Sequence, residues 1–175
     1  MSFYSIVLFF HITGAMGLFA GLGLEWLIAH NLMSVNSNSQ AFQWIGLFKV
    51  LPPIFLSSGI LILISGIYMS AEIWGLNSWI ISAFVLYLIL AAFGGVIVSR
   101  RVGLIRNELE TEGDNLSESI LNKLKSPLIS ESLKIRIMLA LSIIFIMTVK
   151  PDWTVTLIVI CVALLTGFLL VKILK

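Results

Sequence analysis

Apolar residues in this chain come in long, nearly unbroken runs rather than in the short alternation of a strand. Five runs stand out, at about 3–31, 41–70, 79–99, 133–149 and 153–171. A helix needs about 20 mostly apolar residues to cross roughly 30 Å of hydrocarbon. The pattern therefore predicts an all-α fold, an integral membrane bundle of five transmembrane helices in one domain. Lys150-Pro151-Asp152 is the only break between the last two runs, and Pro151 biases Lys150 away from helix. Pro52-Pro53 removes two backbone donors inside the second run and predicts a kink there. The first run has no basic residue before it and no small-residue cleavage site after it, so it reads as a permanent helix.

A polar stretch at about 100–130 separates the third and fourth runs. Its first part reads as a polar extension of the third helix, broken by Gly113-Asp114-Asn115. Leu116, Ile120, Leu121, Leu124 and Leu128 then recur at helical spacing, with Asp114 or Asn115 as the cap. This predicts a cytoplasmic amphipathic connector, either lying at the level of the lipid headgroups or running as a solvated link.

Composition narrows the class without changing the pattern. The 175 residues are 59% hydrophobic and 11% charged, with mean hydropathy +1.06. A soluble domain carries about 45–50% apolar and about 25% charged residues, and disorder requires low hydrophobicity; both are excluded. The few charges fix an orientation. Arg100, Arg101, Arg106, Lys123, Lys125, Lys134, Arg136, Lys172 and Lys175 fall on one side of a five-span arrangement, and Lys150 alone on the other. By the positive-inside rule the N-terminus lies outside and the C-terminus in the cytoplasm. Trp26, Trp44, Trp74, Trp79 and Trp153 sit near the span ends, as an aromatic belt would place them. The lone cysteine, Cys161, falls inside an apolar run and has no partner for an intrachain disulfide.

Ionisable groups within hydrocarbon are costly, so each is a functional candidate. Glu25 and Lys49 are each twelve residues from Ser37, the polar midpoint of the hairpin formed by helices one and two. Equal depth in adjacent helices predicts an intramembrane ion pair, acting as a structural clamp or as a relay for protons or substrate. His11 lies about two turns below the outer surface, where a neutral imidazole can ligate haem iron or bond to a hydroxyl such as Ser65 or Ser82. His30 follows nineteen residues later, about 28 Å along the helix, so the two histidines do not clasp one haem. His30 reads as an interfacial residue. A single-histidine haem b, with Lys150 or a methionine opposite, stays open. Gly17 and Gly21 form a GxxxG pair on a helix face also carrying Gly14 and Gly23. Such faces permit close helix packing, within the chain or between copies in a homo-oligomer. No Cys/His cluster has zinc spacing, no phosphate loop or nucleophile elbow is present, and no basic patch suits nucleic acid. No residue is identified as catalytic; the partner the composition implies is the lipid bilayer.

His11-Ile12-Thr13-Gly14, Phe19-Ala20-Gly21-Leu22, Ser65-Gly66-Ile67-Tyr68, Ser99-Arg100-Arg101 and Val149-Lys150-Pro151 together resemble an uncharacterised family of bacterial predicted integral membrane proteins (DUF2269-like). More distantly the chain is similar to membrane-bound, haem-associated protoporphyrinogen oxidases and to copper-resistance membrane domains. The resemblance implies the cytoplasmic (inner) membrane of a bacterium, with His11 as the haem-ligating histidine and Lys150 as an accompanying lysine. The chain departs from those oxidases in having Leu18 where they carry tryptophan, and Glu25-Trp26 where they carry a basic residue. Two functions follow. One is a non-enzymatic membrane subunit or small transporter-like protein; the other is a haem- or quinone-interacting redox protein with His11 as axial ligand. The first needs fewer assumptions.

Overall fold

A computed structural model describes residues 3–111, 117–124 and 128–173. The described residues are all helical apart from short connections. In chain order they form α1 (Phe3–Leu32), α2 (Asn38–Leu47), a 3₁₀ turn (Phe48–Val50), α3 (Leu51–Met69), a π turn (Ser70–Trp74), α4 (Ser78–Ala92), a second π tract (Phe93–Val98), α5 (Ser99–Thr111), α6 (Glu118–Leu124), α7 (Leu128–Val149) and α8 (Trp153–Ile173). Four helical runs are long and apolar enough to cross a membrane: Phe3–Leu32, Asn38–Trp74, Ser130–Val149 and Trp153–Leu170. Ser78–Ala92 is apolar but shorter. Large apolar side chains stand exposed along these helices, Leu157, Ile158, Leu165 and Phe168 of α8 among them, with Cys161 also exposed beside them. Their partner is lipid, and helices suit it because every backbone group is satisfied within its own segment.

The helix ends follow local chemistry. Ser37 caps α2, its hydroxyl accepting from Gln40 N at 3.3 Å while the Gln40 side chain accepts from Asn36 N at 3.3 Å, a reciprocal pairing that starts the second run cleanly. The kink expected at Pro52-Pro53 takes a specific form. Pro52 has no N–H to give the Phe48 carbonyl, so Leu51 N–H bonds that carbonyl instead. The run tightens to 3₁₀ for one turn and continues as a single helical run to Trp74. Lys150 adopts φ 53° to end α7. Asp152 then caps α8 by accepting from Val155 N at 2.9 Å.

Packing divides into two cores. One joins Leu18 and Leu22 of α1 to Ala83, Leu86 and Leu90 of α4 and to Leu133, Leu139, Ala140 and Ile146 of α7. The other gathers Ile28, Ala29 and Leu32 of α1, Ala41 and Ile45 of α2, Ile105 and Leu109 of α5, and Ile120 and Leu124 of α6. This second core corrects the expectation for the 100–130 stretch. Its apolar positions Ile120 and Leu124 are buried against protein, so α5 and α6 form a helical cap on the ends of α1 and α2. Lys123 grips Glu108 at 2.6 and 2.7 Å and ties α6 to α5. Ser117 holds the first turn of α6, accepting from Ile120 N at 3.3 Å. Asp114, Asn115, Leu116, Lys125 and Lys175 lie outside the described residues, as do the side chains of Leu121 and Leu128.

The glycine face of α1 is used inside the chain. A Cβ at Gly14 would come within 2.9–3.0 Å of the Ser58 carbonyl, Leu61 and Ile62 of α3, and one at Gly21 would meet the Phe55 ring at 2.7 Å. The close approach that small residues permit is thus taken by α3 at Gly14 and Gly21, the within-chain use of this face. Gly23 has open space around it.

Candidate functional site

Three features bring chemistry-bearing residues together. The first is a buried ion pair on a partner other than the one expected. The Glu25 carboxylate of α1 accepts from Arg136 Nη2 of α7, and the two side chains are 1% and 2% exposed. Lys49 is exposed instead, so the Glu25–Lys49 pairing is corrected. Equal depth did not mean a shared face. Phe48 turns into the core, and Lys49, the next residue of the 3₁₀ turn and about 120° further around, is exposed. Arg136 is accommodated because the helix opposite has no side chain to obstruct it. A Cβ at Gly94 would lie 2.8 Å from Arg136 Nη1, and Gly94 belongs to the π tract, where the helix locally widens. Arg136 Nε, also buried, has no hydrogen-bond partner among the described residues.

Arg136 is the residue that sequence reasoning missed. It falls three residues inside the edge of the 133–149 run and counts there as a flanking cation that sets topology. The available signal was its position inside the run: an arginine beyond the first residues of a span either reaches back to the interface or finds an internal carboxylate.

The second feature is His11. Its Nδ1 lies 3.0 Å from Ser65 Oγ, as one of the two expected hydroxyl partners, and Gly66 leaves room for the ring, a Cβ there standing 3.4 Å from Cε1. Ser65 donates its own proton to the Leu61 carbonyl. The His11–Ser65 bond joins α1 to α3, with the donor and acceptor roles set by the imidazole tautomer. Lys150 is held elsewhere, its ammonium 3.5 Å from the centre of the Trp74 ring and 5.4 Å from that of Trp79. This cation–π contact gives Lys150 a local role at the helix ends. His30 stacks on Trp26 at 5.5 Å and is exposed, consistent with an interfacial place. Among the described residues no group of three or more His, Cys, Asp or Glu is placed to hold a metal ion.

The third feature is a cleft of about 620 Å³ between α3 on one side and α4, the π tract and α5 on the other, floored by Leu18 of α1. It exists because α3 packs along α1 while α4 packs along α7, leaving α3 and α4 apart. Its walls are apolar along most of their length, with Tyr87 deep inside and Lys49, Ser99 and Arg106 towards one end. The glycine that receives Arg136, Gly94, is part of its wall. The volume lies within the roughly 300–1,000 Å³ of small-molecule sites. Sequence reasoning placed Lys49 and Arg106 individually, but the cleft depends on how four helices diverge, which no local pattern records.

Residues 5–151 match a family model described as predicted integral membrane protein (DUF2269). No curated protein matches the chain, and no solved structure does.

Proposed function

The chain belongs to the DUF2269 family of predicted integral membrane proteins, and within that frame we propose a five-span, non-enzymatic membrane subunit or small transporter-like protein. The observation that carries the reading is the use made of the intramembrane polar groups. Glu25 is bound by Arg136 and His11 by Ser65, so both act as packing groups that join helices. Between the helices so joined runs the α3–α4 cleft.

The fifth span is assembled from α4 and the π tract, fifteen and six residues long, which together reach about 30 Å. We assign the N-terminus to the outside and the C-terminus to the cytoplasm by the positive-inside rule, a reading supported by the sequence positions of Arg100, Arg101, Arg106, Lys123 and Lys172 against Lys150 in a five-span arrangement. A fluorescent protein fused after Lys175 should fluoresce, and a peptide tag before Met1 should react with antibody on spheroplasts without permeabilisation. A tag reached only after permeabilisation reverses the orientation, and termini on the same side overturn five spans.

A second reading rests on His11 as an imidazole within the first apolar helix, the group a haem iron would use as axial ligand. It makes the chain a haem- or quinone-interacting redox protein. The visible spectrum of protein purified in detergent from haem-replete cells separates the two. The subunit reading expects no Soret band, with or without dithionite. A band of near-stoichiometric intensity that disappears in His11→Ala, while the far-ultraviolet helix signal is retained, replaces it with the redox reading.

A further inference from the structure

We infer that the α3–α4 cleft is a binding site for an anionic phospholipid of the bilayer, with an acyl chain between the helices and the headgroup phosphate on Lys49, Ser99 and Arg106. The register of the two walls places these groups together. A Cβ added at Gly59 of α3 would overlap the Tyr87 hydroxyl of α4, so these two positions face each other across the cleft. Lys49 is ten residues from Gly59 towards the cap, and Ser99 is twelve from Tyr87 in the same direction. Both therefore stand about 15–18 Å from that facing pair, at one level. Arg106 lies two turns further out, within reach of a headgroup above Ser99. From Lys49 to Gly59 the distance is about half of the roughly 30 Å hydrocarbon thickness, the depth of one leaflet.

The donors are available as well as close. Lys49 is exposed and makes no ion pair among the described residues. Among the described residues Arg106 gives its Nε alone, to Glu110 at 2.9 Å, and a guanidinium has further N–H donors on its two terminal nitrogens. Neither cation needs the other for packing, yet both line an apolar cleft. A chain of methylenes with a phosphate at its end matches that distribution of polarity. A neutral lipid matches the walls alone, and a free phosphate matches the mouth alone. The inference requires the bundle to sit in a bilayer. It does not require that the chain move any substrate, so it survives failure of the transporter-like reading.

The test is native mass spectrometry of the detergent-solubilised full chain, titrated in parallel with phosphatidylglycerol, phosphatidylcholine of the same acyl chains, and inorganic phosphate. One phosphatidylglycerol should bind ahead of phosphatidylcholine, and phosphate should neither bind nor displace it. At about 1 kcal/mol for each Lys or Arg near an anionic surface, Lys49→Gln and Arg106→Gln should each weaken the first phosphatidylglycerol about fivefold and leave phosphatidylcholine unchanged. Lys49→Arg, which keeps the charge, should retain the preference. Ala91→Phe, which fills the cleft wall from an exposed position, should remove the first tight site while the variant keeps its helix content. A preference for phosphatidylglycerol that survives both Lys49→Gln/Arg106→Gln and Ala91→Phe would show only an annular shell of lipid and overturn the site. Displacement by inorganic phosphate would reassign the mouth to a soluble anion.

Discussion

Glu25→Ala and Arg136→Ala should each destabilise the protein severely, by about 3–5 kcal/mol, because either change leaves one charge buried without its counter-ion. The measurement is equilibrium unfolding in mixed dodecyl sulfate micelles, followed by tryptophan fluorescence. Lys49→Ala is the control and should fall within about 0.5 kcal/mol of the parent, as substitutions at exposed positions do. The double variant Glu25→Leu/Arg136→Met should recover most of the loss, since a buried ion pair is often replaceable by apolar residues of similar volume. Gly94→Val should behave like a weaker form of Arg136→Ala. Its Cβ would begin 2.8 Å from Nη1, and overfilling of this kind costs about 1–3 kcal/mol. A Lys49→Ala loss as large as that of Glu25→Ala would restore Lys49 as the partner of Glu25. A double variant as unstable as the sum of its singles would mean that the two residues serve separate roles.

That contrast between Lys49 and Arg136 marks where the sequence is legible. Membrane class, the apolar runs and the break at Lys150-Pro151-Asp152 are all local properties, set by composition or by bonds within four residues. Depth is nearly local too: counting from Ser37 places Lys49 level with Glu25, and the Trp74–Lys150 contact confirms that the ends of α3 and α7 meet. Azimuth is not local. Which residue of Phe48 and Lys49 faces α1 depends on the 3₁₀ turn, and the turn depends on the two prolines that follow it. Partners across α1, α7 and the π tract involve residues 25, 94 and 136, and no periodicity connects positions so far apart. The same holds for the cap. The spacing of Ile120 and Leu124 revealed an amphipathic helix, but an apolar stripe fits a headgroup layer and the exposed end of α1 equally well. His11 lies between the two cases. Its depth in the first apolar run was legible, and Ser65 was one of the two hydroxyls named as partners for it.

Gly14→Ala should destabilise the α1–α3 interface by about 1–3 kcal/mol, whereas Gly23→Ala on the same helix should be neutral or stabilising by up to about 1 kcal/mol. The difference arises from what each new methyl meets. At Gly14 the nearest atoms are the Ser58 carbonyl oxygen at 2.9 Å and Leu61 Cβ at 3.0 Å. These belong to or adjoin the α3 backbone and cannot swing aside, so α3 must shift bodily away from α1. Gly21 is a graded intermediate, because its neighbour is the Phe55 ring at 2.7 Å, a side chain with some freedom to rotate towards the cleft. Among the described residues nothing lies within 4 Å of a Cβ built at Gly23, and the effect expected is the reduced conformational freedom of the unfolded chain. The same unfolding assay resolves the series, with the expected order of stability Gly23→Ala, Gly21→Ala, Gly14→Ala from highest to lowest. Movement of α3 has a second consequence, since α3 is also one wall of the cleft. Gly14→Ala should therefore loosen phosphatidylglycerol binding although residue 14 does not line the site, while Gly23→Ala should leave it intact. Equal tolerance of alanine at positions 14 and 23 would show that α1 and α3 are not in backbone contact, and the origin of the cleft in their close packing would fall with it.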